Sequence, residues 1–250
     1  IPTTLIGQVD VLTAGKTCLN FGMTKNLLGT FYYPEFIYNN SAILETCPMM
    51  FQRQEFSEVF KYGLLASDKL VNFMYEYSQT FNPLLLREIT ELTMNARVKI
   101  SKIDPLASNL GHTFGHALES LFNFKLLHGD AISIGTVMAI NFSVEKNIMT
   151  LDEKNKIFGL MKNIGLNVYI QEDLNIKKLS YLMTKDKKSS KNGIGLVLIN
   201  SMQNLYFNGD SPFYQTSEKE ILVFLEKFIS NYGYKVPDLI SHLKVDSFIK

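Results

Sequence analysis

Cysteine is scarce in this sequence: two residues in 250, Cys18 and Cys47. They are too few for a disulfide framework and lack the CxxC spacing of a zinc site, so a reducing, cytoplasmic setting is the expectation. An excess of charge is also missing, with 25 Lys+Arg against 24 Asp+Glu and a formal net charge of +1. Non-specific nucleic-acid binding needs clustered positive charge, so nucleic acid is not an expected partner. No apolar run approaches the roughly 18–20 residues of a membrane span, and no charged-then-apolar leader opens the chain. No membrane partner is expected. A strand–GxGxxG–helix unit, the usual dinucleotide fingerprint, is absent as well. What is present is a hydrophobic fraction of 46% with 20% charged residues, enough for one large domain or two modest ones. Three of the four histidines fall between positions 112 and 128.

The first 45 residues carry Gly7, Gly15, Gly22, Gly29, Pro2 and Pro34 and read as short strands and turns. Beyond them the texture becomes helical. Phe56, Val59, Phe60, Leu64 and Leu65 recur at three- and four-residue spacing, which predicts an amphipathic helix over 55–77. Pro83 opens a second pattern running to about 103, closed by Pro105. Further helices are predicted over about 109–121, 130–147, 151–164 and 217–232. Short strands are expected at 195–200 and 205–208.

The strongest chemical signal lies in the histidines. His112 and His116 are four apart and share one face of a helix. His128 precedes the next predicted helix, and a helical hairpin would return it beside the pair. Neutral imidazole is the commonest metal ligand, and catalytic zinc usually takes three protein ligands. Spacing alone nominates His112 and His116, with His128 or a carboxylate as third ligand. Glu55, Glu58 and Lys61 fall three apart on one helical face. They read equally as candidate carboxylates with a cation or as an exposed face of weak ion pairs.

The combination of motifs is more specific than any one of them. Asn-Leu-Gly-His-Thr-Phe-Gly-His-Ala-Leu-Glu over 109–119, followed by Leu-His-Gly-Asp-Ala over 127–131, resembles the 3-dehydroquinate synthase family. Ser57-Glu58-Val59-Phe60-Lys61-Tyr62-Gly63 resembles the AEVIKYG element of that family. Pro2-Thr3-Thr4-Leu5, Gln8-Val9-Asp10, Gly15-Lys16-Thr17 and Lys25-Asn26-Leu27-Leu28-Gly29 resemble its early motifs. Asp186-Lys187-Lys188 and the predicted strand after Gly193 resemble its late DKK…VL element.

The resemblance implies a mainly α fold. A helical metal- and substrate-binding domain would occupy 46–250, preceded at 1–45 by the C-terminal end of an NAD-binding α/β domain. It implies Glu58, His112 and His128 as ligands of zinc or cobalt, which displaces His116 from the set that spacing favours. His116, Lys61, Lys16 and Asp10 would form the catalytic group, with His116 facing the substrate phosphate. Lys61 and Asn26 would contact substrate hydroxyls, with Asp10 beside them. Lys16, Asn109 and one of Lys187 and Lys188 would hold phosphate, a charge-assisted recognition. Thr3, Thr4, Lys25 and Thr46 would touch NAD. The implied reaction is phosphate elimination and cyclisation of a seven-carbon keto-acid sugar phosphate by a homodimer in the shikimate pathway.

Departures from the family pattern qualify this picture. The chain begins at Ile1, inside the family pattern, so the Gly-rich NAD loop has no counterpart and NAD binding by these residues alone is expected to be poor. Where the family places an arginine that grips the substrate carboxylate, four residues before Asn109, this sequence has Pro105. Either the substrate lacks that carboxylate, as for other sugar phosphate cyclases, or a loop between Asp104 and Asn109 is missing from the sequence. Asn109 itself favours dehydroquinate synthase. Met50, Phe51, Glu55 and Ala14 also replace family residues, which keeps an inactive homologue open as an alternative. A metal-dependent alcohol dehydrogenase of the wider superfamily is a more distant one.

Overall fold

The computed structural model describes residues 1–15, 17–21, 24–30, 32–80, 82–171, 173–185 and 193–234. At the front, the chain turns through a π-helical segment, Gly7–Val11, and a 3-10 turn, Leu12–Ala14, where strands were expected. Local bonds explain the difference. The Thr4 hydroxyl accepts from Gly7 N, and the Thr4 carbonyl accepts from Gln8 N. The buried Gln8 amide donates to the carbonyls of Pro2 and Asn40, while Leu5 and Val9 enter the core. The antiparallel strands β1 (Leu19–Phe21) and β2 (Thr24–Leu28) follow.

Helix α1 (Met49–Ala66) ends at Ser67, and α2 (Asp68–Thr80) begins at once. The single helix predicted over 55–77 is therefore two. Ser67 adopts an extended backbone, φ −155°, and its hydroxyl accepts from Leu70 N, the role of an N-terminal cap. Helix α3 (Pro83–Ser101) starts on an Asn82 cap with proline in its first turn, where the missing N–H costs nothing.

Helices α4 (His112–Leu121) and α5 (His128–Glu145) form a hairpin at the centre of the fold. Every residue of α5 from Gly129 to Ile140 is buried except Asp130, as expected of a helix enclosed on all sides. Helix α6 (Leu151–Ile164) runs from a Thr150 cap to left-handed Gly165. Helix α7 (Ile176–Met183) was not anticipated; Asn175 caps it and Leu179 and Met183 bury its inner face.

The remaining strands are short and peripheral. Strand β3 (Ile170–Gln171) precedes α7, while β4 (Ile194–Leu196), β5 (Ile199–Ser201), β6 (Asn204–Leu205) and β7 (Tyr214–Thr216) form two antiparallel pairs, β4 with β7 and β5 with β6. Helix α8 (Glu218–Tyr232) starts in a capping box in which Ser217 and Glu220 bond reciprocally. It ends at β8 (Gly233–Tyr234), which pairs in parallel with β3. The result is a mainly helical structure with α5 as its axis. No helix among the described residues is long and apolar enough to cross a membrane.

Candidate metal centre

Three backbone approaches bring the chemistry together, and each depends on a glycine. Gly111, at φ +77°, turns the chain into α4 in a left-handed conformation, and a Cβ there would lie 2.5 Å from the Thr136 hydroxyl. A Cβ on Gly135 would lie 2.2 Å from the Gly111 carbonyl oxygen, so α4 starts directly against α5. A Cβ on Gly129 would lie 2.0 Å from the Gln54 carbonyl oxygen, which seats the start of α5 on α1. Glu58 lies one turn further along α1, His112 opens α4, and His128 opens α5.

These three side chains converge. Their ligand atoms all lie within 4.8 Å of one another, and they are the metal-sized group found among the described residues. Glu58 Oε1 is 3.3 Å from His112 Nε2 and 3.5 Å from His128 Nε2. That oxygen is buried without a hydrogen-bond partner. The imidazoles are oriented to leave Nε2 available. His112 Nδ1 lies 3.1 Å from the Leu110 carbonyl, and His128 Nδ1 lies 3.1 Å from Glu119 Oε1. An acceptor at Nδ1 fixes the proton there and leaves the Nε2 lone pair facing the carboxylate. One carboxylate oxygen and two imidazole nitrogens around a common point are a donor set suited to zinc, so the residues present fit the metal.

The second carboxylate oxygen of Glu58 is held by Lys61 Nζ at 2.5 Å, with both side chains 1% exposed. Burial opposes the charge on Glu58, but Lys61, His112 and His128 outweigh it and hold its pKa well below the ordinary value. Burial, with the Lys61 cation beside it, pushes the His112 pKa well down, so its ring is neutral and competent to ligate. Burial also lowers the Lys61 pKa, with Glu58 opposing. The Lys61 ammonium lies 4.3 Å from the Tyr62 ring centroid.

His116 lies beside this group. Its ring is 5.3 Å from that of His112, edge to face, and 6.2 Å from that of His128. The converging group thus contains His112 with Glu58 and His128, and His116, which spacing alone pairs with His112, stands next to it. Asp10 Oδ1 accepts from the Tyr62 hydroxyl at 2.7 Å and is ion-paired with Arg97. Burial and the nearby Glu58 raise the Tyr62 pKa well above its usual value, which keeps that hydroxyl a donor. Asn109 is half-buried, and its amide donates to the Leu106 carbonyl at 2.8 Å. Pro105 is exposed in the turn before it.

Thr3 is exposed, the Thr4 hydroxyl is engaged with Gly7, and the exposed Thr46 hydroxyl donates to the Ile43 carbonyl. Lys25 and Asn26 lie in β2. Lys16, Lys187 and Lys188 lie outside the described residues. Two side chains at the site were not anticipated from sequence. Glu119 follows His116 by three and His112 by seven, a same-face spacing that could have flagged it. Arg97, far from Asp10 in sequence, gave no comparable local signal.

The family model of the 3-dehydroquinate synthase C-terminal region matches residues 56–189, and that of its N-terminal region matches residues 1–54. The chain belongs to the 3-dehydroquinate synthase family. A 3-dehydroquinate synthase of Pseudomonas aeruginosa (strain UCBPP-PA14) is 31% identical over 222 residues, covering 85% of this chain and 60% of the relative. One from Alkaliphilus oremlandii (strain OhILAs) is 34% identical over 208 residues, covering 79% and 57%. The chain thus spans about 60% of the length of such relatives.

Among solved structures of this fold, a 2-deoxy-scyllo-inosose synthase complexed with carbaglucose-6-phosphate, NAD+ and Co2+ aligns with a TM-score of 0.80 at 20% identity. That alignment covers 93% of this chain and 66% of the other. A 2-epi-5-epi-valiolone synthase from Streptomyces hygroscopicus subsp. jinggangensis 5008, with NAD+ and Zn2+ bound, aligns with a TM-score of 0.78 at 19% identity, covering 92% and 65%. At these identities the likeness is one of fold.

Proposed function

We propose that these residues form the metal- and substrate-binding part of a 3-dehydroquinate synthase. It would be an NAD- and zinc-dependent lyase that eliminates phosphate from a seven-carbon keto-acid sugar phosphate and closes the carbocycle. The observation that carries the reading is the convergence of Glu58, His112 and His128 around an unpartnered carboxylate oxygen, in a chain of this family. Bound zinc supplies Lewis-acid polarisation of a substrate oxygen, and NAD supplies the hydride acceptor.

The chain's own residues bind, orient and hold protons. Lys61, buried against Glu58, offers a substrate hydroxyl a fixed ammonium donor. His116 is half-buried beside both ligand imidazoles; in this reading it faces the departing phosphate and holds a proton there. Asp10 is oriented by Tyr62, Lys61's neighbour on α1, and by Arg97; in this reading it stands beside the substrate hydroxyls that Lys61 and Asn26 contact. Lys16, Asn26, Asn109 and a lysine of the 187–188 pair complete the substrate contacts in this reading, and Thr3, Thr4, Lys25 and Thr46 those to NAD. Incubation of the complete protein with NAD, zinc and the seven-carbon substrate tests it, with phosphate release and dehydroquinate formation as readouts. Phosphate release without dehydroquinate, or no turnover, would contradict it.

One observation favours a second reading. Pro105, exposed where the family pattern carries an arginine, cannot form a bidentate carboxylate clamp. A cyclase acting on a ketose phosphate without a carboxylate would need no such clamp. Turnover of that substrate class in place of the keto-acid phosphate would select this alternative.

A further inference from the structure

The two imidazoles of the candidate centre are held in different ways. His112 Nδ1 faces a backbone carbonyl, that of Leu110, which no substitution can remove. His128 Nδ1 faces a side chain, Glu119 Oε1, at 3.1 Å. Glu119 is 4% exposed and sits two turns beyond His112 on the same face of α4. The α4–α5 connection returns the chain through left-handed Asn123 and Phe124, at φ 51° and 59°, and sets His128 at the first position of α5. His128 is also the least buried of the three ligand candidates, its side chain 30% exposed against 11% for His112 and 1% for Glu58. Packing therefore restrains this ring least, and its orientation depends most on a specific hydrogen bond.

From this arrangement we infer that Glu119 is a positioning residue. By accepting from His128 Nδ1 it fixes the tautomer and rotamer that aim Nε2 at Glu58, and thereby sets the metal affinity of the Glu58–His112–His128 group. The inference rests on the reading of that group as a metal site. A carboxylate behind a ligating imidazole raises ligand basicity and pre-pays the ordering of the ring; removing such a partner typically weakens metal binding about 10–100-fold. Gln at this position keeps an acceptor oxygen without the charge, so it retains orientation and loses basicity. Ala loses both.

The test is Zn2+ titration of the wild-type protein, E119Q and E119A against a chromophoric chelator. The Co2+ absorption spectrum and the thermal midpoint of the metal-free protein accompany it. The expected order of affinity is wild type, then E119Q, then E119A, with E119A about 10–100-fold weaker and its Co2+ bands altered in position or intensity. Equal Zn2+ affinity in wild type and both variants would overturn the inference while leaving the metal site standing. A role in stability alone would lower the thermal midpoint and leave the Co2+ spectrum and affinity unchanged, which also overturns it. Should E119A fail to fold, the near-isosteric E119Q decides on affinity and spectrum. A wild-type protein that takes up no Zn2+ would refute the metal reading itself.

Discussion

Gly129→Ala is the sharpest perturbation of the geometry that assembles the site. The added Cβ would meet the Gln54 carbonyl oxygen at 2.0 Å and the Gln54 carbonyl carbon at 2.4 Å. Real Cβ contacts stay beyond about 3.0 Å, so a displacement of about 1 Å is forced. The obstacle is α1 backbone and cannot rotate away, so the start of α5 must retreat from α1. His128, the preceding residue, retreats with it from Glu58, to which its Nε2 now lies at 3.5 Å. Metal–ligand distances tolerate about 0.2 Å, so a shift of this size removes His128 from the set. Apparent zinc-site energies of about 10–16 kcal/mol, shared among the three protein ligands and one solvent ligand, assign about 3 kcal/mol to each, or about a hundredfold in affinity. Overpacking adds a loss of about 1–3 kcal/mol in fold stability. Chelator-competed Zn2+ titration and urea unfolding of the metal-free variant measure the two effects. Gly159→Ala is the control: nothing lies within 4 Å of its Cβ position inside α6, so it should stabilise by about 0.5–1 kcal/mol. A G129A protein with wild-type zinc affinity and stability would refute the argument.

Two further substitutions test the electrostatics. Lys61→Met leaves the buried Glu58 carboxylate without its cation, which should destabilise the metal-free protein by about 3–5 kcal/mol, part of it restored by zinc. Urea unfolding with and without zinc checks this, and unchanged stability would argue against the pair. Glu220, bonded to Lys146 and to Ser217 N, has its pKa lowered from 4.5 to about 2. A depressed carboxylate pKa stabilises the fold above the unfolded value, and the contribution is lost as pH falls from about 4.5 towards 2. Glu220→Gln should remove that part of the acid sensitivity. Its side chain is 46% exposed, so after solvent screening the effect should stay below about 1 kcal/mol. Unfolding curves for the two proteins that lose stability in parallel across this pH range would contradict the assignment.

Where a local signal existed, the sequence was legible. Helix α6 appears over the predicted residues because a Thr150 cap, apolar periodicity and Gly165 all agree. The α1–α2 break escaped because hydrophobic spacing continues across Ser67, from Leu64 and Leu65 to Leu70 and Val71, and only the serine cap marks it. The π-helical turn at Gly7–Val11 leaves no periodic trace because it rests on side-chain bonds, that of Thr4 nearby and that of Gln8 to Asn40, far along the chain. At the site, helical spacing pairs His112 with His116. The group containing Glu58 and His128 depends on backbone contacts of Gly129 and Gly135, which leave no periodic trace. Motif resemblance supplied Glu58, His112 and His128 together, but not Glu119 or Arg97, whose partners are visible only in three dimensions.

Metal analysis of the wild-type protein beside His112→Ala and His116→Ala tests the central claim most directly. With Glu58, His112 and His128 as the ligands, wild type and H116A should each retain about one equivalent of zinc after dialysis. H112A should retain none, while H116A is impaired only in turnover. Equal zinc loss in H112A and H116A would contradict the account and return the site to the plain histidine pair on α4.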